Sequence, residues 1–150
     1  ELGHTTVVMD GRPCTCGRRG CLEAYVSIRG MRATYQELGE DPGILEQAGV
    51  LPIATAALNG DASALQTFRD TARWLAVGLA NAVAIAPPQR IVLFGGIARN
   101  GDLLMAPLRT RFEEALLNIH QGRVELCTSV LPEDDAGILG AAALTGMPMP

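Results

Sequence analysis

The longest regular pattern in the chain is an apolar stripe at helical spacing between residues 61 and 86. Its members recur every three or four positions: Leu65, Phe68, Ala72, Leu75, Leu79, Val83 and Ala86. Asp61 is a favourable N-cap in front of this helix, and Pro87 and Pro88 end it. From Leu75 onward the segment is apolar on all sides, so we expect its second half to be buried.

Shorter patterns predict four further helices and three strands. The helices fall over 22–39, 51–60, 101–119 and 135–146. A loop is expected around 40–43, Asp102 is the expected cap of the helix over 101–119, and Pro107 is expected to kink it. Apolar runs with β-branched residues predict strands over 4–11, 90–96 and 123–131. The second of these strands should be buried, and the order of elements predicts an α/β domain with helices packed on a small mixed sheet.

Composition restricts the function classes. With 150 residues, of which 48% are hydrophobic, the chain can form one ordinary globular core. The net charge of −4 argues against non-specific binding to nucleic acid. All 12 basic residues are arginine, which excludes a P-loop lysine within the chain. The longest apolar stretch is too short and too rich in alanine to span a membrane, and the first residues form no signal segment, so we expect a cytoplasmic protein.

Three of the four cysteines lie in one short stretch, CTCGRRGC, as Cys14, Cys16 and Cys21. A disulfide framework would favour an even number of cysteines and an oxidising compartment, and neither is indicated. Zinc is the better interpretation, because thiolates are its preferred ligands and the glycines let a short loop fold around one ion. His4, the only nearby imidazole, would supply the fourth ligand. Unliganded buried thiols remain the alternative.

Arginines flank this cysteine cluster. Arg12, Arg18 and Arg19 could offset the net negative charge of a zinc site with three thiolates, although solvated surface arginines are the simpler interpretation. Cys127 lies apart from the cluster, in a predicted apolar strand, and we expect it to be an unreactive core residue.

Four segments of the chain share the spacing of a known family signature. They are ELGH at 1–4, CTCGRRGCLE at 14–23, VLFGG at 92–96 and GILGAAAL near the C-terminal end. Together they resemble the ROK family, which groups bacterial sugar kinases with sugar-responsive transcriptional repressors, and the resemblance covers essentially the whole chain. It implies a single domain over 1–150 that is part of the C-terminal lobe of an actin/hexokinase-like ATPase fold, with a zinc loop at about 4–23.

The resemblance also implies roles for individual residues. Structural zinc would be bound by His4, Cys14, Cys16 and Cys21. Sugar hydroxyls would be bound by Glu1, His4 and Glu23. His4 would use one ring nitrogen for the metal and the other for the sugar. Gly95 and Gly96 would correspond to a turn on the adenosine side of the nucleotide. Without the resemblance, Glu1 and Glu23 would be interpreted as surface carboxylates, and the two glycines as an ordinary tight turn.

The activity implied by the resemblance is that of an ATP-dependent kinase for a hexose or N-acylhexosamine, which in full length would use ATP and Mg²⁺. The N-terminal lobe, the phosphate-binding element and the general base would lie before Glu1, so the chain alone is not expected to phosphorylate a sugar. One alternative is a sugar-responsive repressor of the same family, which would contact DNA through an upstream helix-turn-helix. Another is a zinc-stabilised oligomerisation domain that binds no sugar.

Self-association, as a dimer or higher oligomer, is a further expectation. The resemblance places the strands that would pair with 4–11 before Glu1, which leaves a sheet edge and wide apolar helix faces exposed. A two-fold dimer is the simplest way to cover such surfaces.

Overall fold

The computed structural model describes residues 1–39 and 42–144, and the statements below refer to this part of the chain. The helices are α1 (Glu23–Val26), α2 (Ile28–Glu37), α3 (Pro42–Glu46), α4 (Leu51–Leu58), α5 (Ala62–Ile85), α6 (Asp102–Ala115) and α7 (Glu133–Leu144). The strands are β1 (Arg90–Leu93) and β2 (Glu125–Thr128), and short 3-10 turns lie at Leu2–His4 and Ala98–Asn100.

The long helix α5 is the centre of the core, as its apolar stripe predicts. Asp61 caps it, with 2.6 Å between its accepting carboxylate oxygen and the nitrogen of Ala64. α5 packs along α6 and also contacts α2 and α4. The largest buried side chains of this core are Met31, Tyr35, Ile53, Phe68, Val83, Leu104, Leu108 and Phe112. The predicted burial of the second half of α5 is confirmed only in part, because Leu79 is buried whereas Ile85 is largely exposed.

The described strands β1 and β2 form a parallel pair connected through α6. Ile91 and Leu93 pack against the core, but Val92 between them is 54% exposed. Helices therefore cover one face of the pair and leave the other face open. The prediction of a buried strand over 90–96 is wrong, because a strand covered on one face alternates in burial. The described sheet is parallel with two strands, whereas a mixed sheet with a third strand was expected.

Residues 4–11 do not form the predicted strand. Their main chain bonds to the returning half of the cysteine loop instead, through the pairs Val7 N–Gly20 O (2.8 Å) and Leu22 N–Thr5 O (2.9 Å). Only an isolated antiparallel bridge, Thr6 with Cys21, results. Thr5 is extended, with φ −72° and ψ 138°, but His4 belongs to a 3-10 turn and the chain turns again at residues 9–10, so a loop rather than a sheet satisfies the main-chain hydrogen-bonding groups.

The predicted helix over 22–39 is divided into α1 and α2 at Ser27. Ser27 is extended, with φ −82° and ψ 168°, and its hydroxyl accepts a hydrogen bond from Gly30 N at 3.1 Å. Serine is a strong N-cap, so α2 begins afresh after it. Gly30 then lies directly on α1, where an added Cβ would be 2.7 Å from the carbonyl oxygen of Ala24.

The remaining differences concern helix boundaries. Residues 42–46 form α3 rather than a loop, and residues 40–41 lie outside the described chain. α6 ends at Ala115, four residues before its predicted end at 119. Asp102 is the first residue of α6 rather than its cap, because the cap position is taken by Gly101. The helix continues through Pro107, and the predicted kink there stays a prediction.

The last helix, α7, begins two residues earlier than predicted, and its predicted end at 146 lies outside the described residues. Within residues 1–39 and 42–144, no helix combines the length and the apolar character that crossing a membrane requires.

The close packing of α2 on α1 generates a stability prediction. We expect Gly30→Ala to lower the free energy of unfolding by about 1–3 kcal/mol, the usual cost of overpacking. The matched control is Gly140→Ala in α7, where nothing lies within 4 Å of an added Cβ. That change should leave stability unchanged or raise it by up to about 1 kcal/mol. Denaturant unfolding followed by circular dichroism measures both, and wild-type stability of Gly30→Ala would contradict the packing.

Candidate metal centre

Four possible metal ligands meet between the first 3-10 turn and α1. His4 Nδ1 and the sulfur atoms of Cys14, Cys16 and Cys21 all lie within 4.8 Å of one another. The structure therefore brings together all four residues to which the sequence assigned zinc. Cys14 and Cys21 are buried and Cys16 is exposed, so the cluster has one side open to solvent.

Two of the separations between these ligand atoms match those in a tetrahedral zinc site. In a tetrahedral site, Zn–S bonds of about 2.3 Å and a Zn–N bond of about 2.0 Å put two sulfur atoms roughly 3.8 Å apart, and a sulfur and a nitrogen roughly 3.5 Å apart. Cys16 Sγ and Cys21 Sγ are 3.6 Å apart, and Cys14 Sγ is 3.6 Å from His4 Nδ1. Three thiols and one imidazole are also a donor set that structural zinc sites use.

Two main-chain turns build the cysteine loop. Cys14 N donates to Arg18 O at 2.8 Å, and Gly17 N donates to Cys14 O at 3.0 Å, which curls the chain around the sulfur atoms. Gly20 is needed where the loop returns: its φ is +72°, and an added Cβ would lie 1.6 Å from the carbonyl oxygen of Val8. The loop thus depends on glycine as much as on cysteine.

The thiols differ in their electrostatic surroundings. A hydrogen bond from the main-chain N–H of Arg18 lowers the pKa of Cys16 to about 6, whereas burial raises the pKa of Cys21 to about 11. The Arg18 guanidinium interacts with Cys16 and donates to the carbonyl oxygen of His4. Of the three arginines expected around the cluster, Arg18 lies on it, while Arg12 binds Glu37 instead.

Two carboxylates lie close to the ring nitrogens of His4. Glu23 Oε2 is 3.6 Å from Nδ1, and Glu1 Oε2 is 3.7 Å from Nε2. The side chains of Glu1, His4 and Glu23 are 91%, 28% and 38% exposed, so the three form a polar cluster that a solute can reach. One ring nitrogen of His4 faces the sulfur atoms and the other faces outward, which lets a single imidazole serve both sides.

A cleft of about 230 Å³ lies at the carboxyl ends of β1 and β2. Gly95, with φ +104°, lines this cleft in the turn after β1, and Gly96 follows it in the chain. The polar side chains that line it are Arg99, Asp102, Arg109, Thr128 and Ser129. Sequence reasoning missed these five residues, although the carboxyl ends of parallel strands are where α/β folds bind ligands.

Cys127 lies in β2, apart from the other cysteines. It is half-buried, and its sulfur is 3.7 Å from the carbonyl oxygen of Ile91 on the neighbouring strand. The expectation of a core residue is therefore met only in part, because the strand has one open face.

Comparison with known proteins places the chain in one family. The model of the ROK family matches residues 1–147. The chain is 35% identical to a glucokinase from Thermotoga maritima, a match that covers 96% of this chain and 48% of that protein. The solved structure of a ROK family glucokinase from Streptomyces griseus, in complex with glucose and AMPPNP, is similar with a TM-score of 0.80 and 31% identity, over 96% of this chain and 50% of that one.

A ROK family transcriptional regulator, described as a homolog of the Escherichia coli MLC protein, is similar with a TM-score of 0.81 and 26% identity, over 97% of this chain and 38% of that one. The chain thus spans about half the length of the two glucokinases and 38% of the length of the regulator. Kinases and regulators share its fold, so the fold alone does not separate the two activities. Because the family model matches nearly every residue, the chain belongs to the ROK family.

Proposed function

We propose that the chain is the C-terminal part of an ATP-dependent kinase for a hexose or N-acylhexosamine, in which a zinc-supported loop binds the sugar. The observation that carries this proposal is the position of His4. Its Nδ1 lies 3.6 Å from Cys14 Sγ, and its Nε2 lies 3.7 Å from Glu1 Oε2. The similarity to glucokinases, one of them solved with glucose and an ATP analogue, supports the substrate class.

In this proposal His4, Cys14, Cys16 and Cys21 hold zinc. Zinc supplies positive charge and a fixed anchor when bound, rather than a reaction centre, because four protein ligands complete its coordination. The sugar is then bound by side chains of the protein rather than by the metal. With Nδ1 engaged, His4 presents Nε2 as a directed hydrogen-bonding group on the side of Glu1, while Glu23 lies beside the Nδ1 edge of the ring.

Glu1, His4 and Glu23 are proposed to bind sugar hydroxyls. Each carboxylate oxygen accepts a hydrogen bond, so a carboxylate suits two neighbouring hydroxyl groups. Glu23 is also the first residue of α1, where the free N–H groups of the helix favour a negative charge. The site is partly exposed, as a site that exchanges a small sugar must be.

The cleft beyond β1 and β2 is proposed to bind the adenosine part of ATP. Main chain at Gly95 and Gly96 leaves room for a nucleotide to approach closely. We assign the phosphate-binding element, the general base and the Mg²⁺ site to parts of the protein outside residues 1–150.

A sugar-responsive repressor is the second candidate, favoured by the similarity to the ROK transcriptional regulator. It would use the same zinc-supported site as a sensor and would bind DNA through another part of the protein. Phosphorylation of a sugar by the full-length protein would distinguish a kinase from this alternative. Self-association, which the sequence also suggests, stays a prediction.

The zinc assignment predicts metal content. Protein purified without added zinc should contain about one zinc ion per chain, because its four ligands close one tetrahedral site. Cys16→Ser should reduce that content, and Cys127→Ser is the matched control that should keep it. Elemental analysis together with thiol titration of the native protein tests this. Zinc near zero in the wild type, with every thiol titratable, would contradict the assignment.

The sugar assignment predicts the effect of Glu23→Gln in the full-length protein. We expect the sugar to bind about 1–3 kcal/mol more weakly, the loss for a hydrogen bond to a charged group, while zinc content is unchanged. Glu46→Gln is the control, because Glu46 is an exposed carboxylate on α3. Calorimetric titration gives both affinities, and wild-type affinity of Glu23→Gln would count against a role for this carboxylate.

The nucleotide assignment predicts that Gly96→Val weakens ATP binding. Nothing lies within 4 Å of an added Cβ at Gly96, so the variant should fold normally. A valine there would obstruct a nucleotide lying on the turn, and we expect the KM for ATP to rise roughly tenfold, equivalent to about 1.4 kcal/mol. Sugar affinity is the internal control. An unchanged KM for ATP would show that the turn at Gly95 and Gly96 does not contact the nucleotide.

A further inference from the structure

We propose that Arg12 is a positioning residue that fixes α1, and with it Glu23, relative to His4. The inference rests on the proposed function, since Glu23 and His4 are there assigned to the sugar. Arg12 lies in the cysteine loop, two residues before Cys14, yet its side chain points to the helices and not to the sulfur atoms.

The helix that carries Glu23 is too short to hold its orientation without contacts to the rest of the protein. α1 has four residues, a single turn, and a helix of that length is unstable without outside contacts. Its continuity with α2 is broken at Ser27, where the chain is extended. The position of the Glu23 carboxylate therefore depends on what holds α1 in place.

Arg12 bridges the two sides of this break. One guanidinium nitrogen, Nη1, donates to the carbonyl oxygens of Ala24 at 3.3 Å and Gly30 at 3.1 Å. The first oxygen belongs to α1 and the second to α2. Ala24 lies in the last turn of α1, where carbonyl oxygens have no partner within the helix and a cation is favourable. Gly30 O, near the start of α2, also accepts from the hydroxyl of Thr34 at 3.1 Å.

The rest of the guanidinium is anchored on α2. Nη2 donates to Thr34 Oγ1 at 2.9 Å, and Nε donates to Glu37 Oε1 at 3.1 Å, with a second bond from Nη2 to Glu37 Oε2. The side chain of Arg12 is 18% exposed. A planar guanidinium can make all these bonds at once, whereas an ammonium group cannot.

Tyr25 on α1 is held by the same residue. Arg12 N donates to the Tyr25 hydroxyl at 2.8 Å, and the guanidinium carbon lies 4.8 Å from the centre of the Tyr25 ring. The ring also contacts Trp74 of α5, with 5.4 Å between ring centres. Arg12 and Trp74 thus hold α1 in place through Tyr25.

The cysteine loop is consequently fixed at two places. The ligand cluster holds Cys21 two residues before Glu23, and Arg12 holds Ala24 one residue after it. Removing the guanidinium leaves the four zinc ligands, the main-chain bond of Arg12 to Tyr25 and the Tyr25–Trp74 contact intact, but it removes the bridge between Ala24 of α1 and α2. The separation of 3.6 Å between Glu23 and the His4 ring should then no longer be maintained.

The test compares Arg12→Ala and Arg12→Lys with the wild type in the full-length protein. Both should keep one zinc per chain and should bind sugar roughly tenfold more weakly, because a lysine cannot reproduce the fork of the guanidinium. The KM for ATP and the kcat at saturating sugar should change less than about twofold, since neither depends on Glu23 in a site that is already filled. Arg29→Ala, an exposed arginine on α2, is the matched control and should bind sugar normally.

Hydrogen exchange measures the position of α1 without any sugar. Amides of residues 23–26 should exchange roughly tenfold faster in Arg12→Ala, while those of α5 stay protected.

If Arg12→Ala fails to fold, Arg12→Lys and Glu37→Gln provide milder losses of the same bonds. Unchanged exchange in α1, wild-type sugar affinity, or loss of zinc from Arg12→Lys would each overturn the inference. A zinc-loaded wild type that binds no sugar would overturn the proposed function instead, while the exchange result still decides the role of Arg12.

Discussion

Three sulfur atoms and one imidazole nitrogen lie within 4.8 Å of one another, and this convergence constrains the first part of the chain. Several thiolates so close together repel unless a cation lies between them, so a cluster without metal cannot keep all three sulfur atoms ionised. The burial that raises the pKa of Cys21 shows how costly a bare thiolate would be there. A divalent ion removes that cost and anchors His4 at the same time.

The cysteine loop and α1 are held in position by packing against the core helix α5. Gly78 of α5 lies against Leu22, where an added Cβ would be 2.5 Å from a Leu22 methyl carbon, and Trp74 one turn earlier contacts Tyr25. Through these contacts, the single turn of α1 packs against α5, the longest of the described helices. The capped, buried helix α5 therefore provides the rigid surface, and the loop places the polar side chains on it.

Sequence predicted α5 and the ligand cluster well, because both depend on local patterns. The capping of α5 by Asp61 and the gathering of the cysteines with His4 follow from short-range spacing. The break at Ser27 was missed because the apolar positions on both sides keep helical spacing, and only the capping residue signals the interruption. The open face of β1 was missed because alternation in four residues is too short to separate from a buried strand.

The two proposed sites bear differently on the choice between kinase and repressor. A sensor and a kinase both need groups that bind sugar, so Glu1, His4 and Glu23 do not distinguish them. Only a kinase also needs a place for a nucleotide. Gly95 has a backbone conformation that side chains rarely adopt, and it lines a cleft at the ends of parallel strands. An open cleft bordered by glycine suits the proposed nucleotide site, which a kinase needs and a sugar sensor does not. Occupancy of this cleft, rather than of the sugar site, is therefore what separates the two proposals.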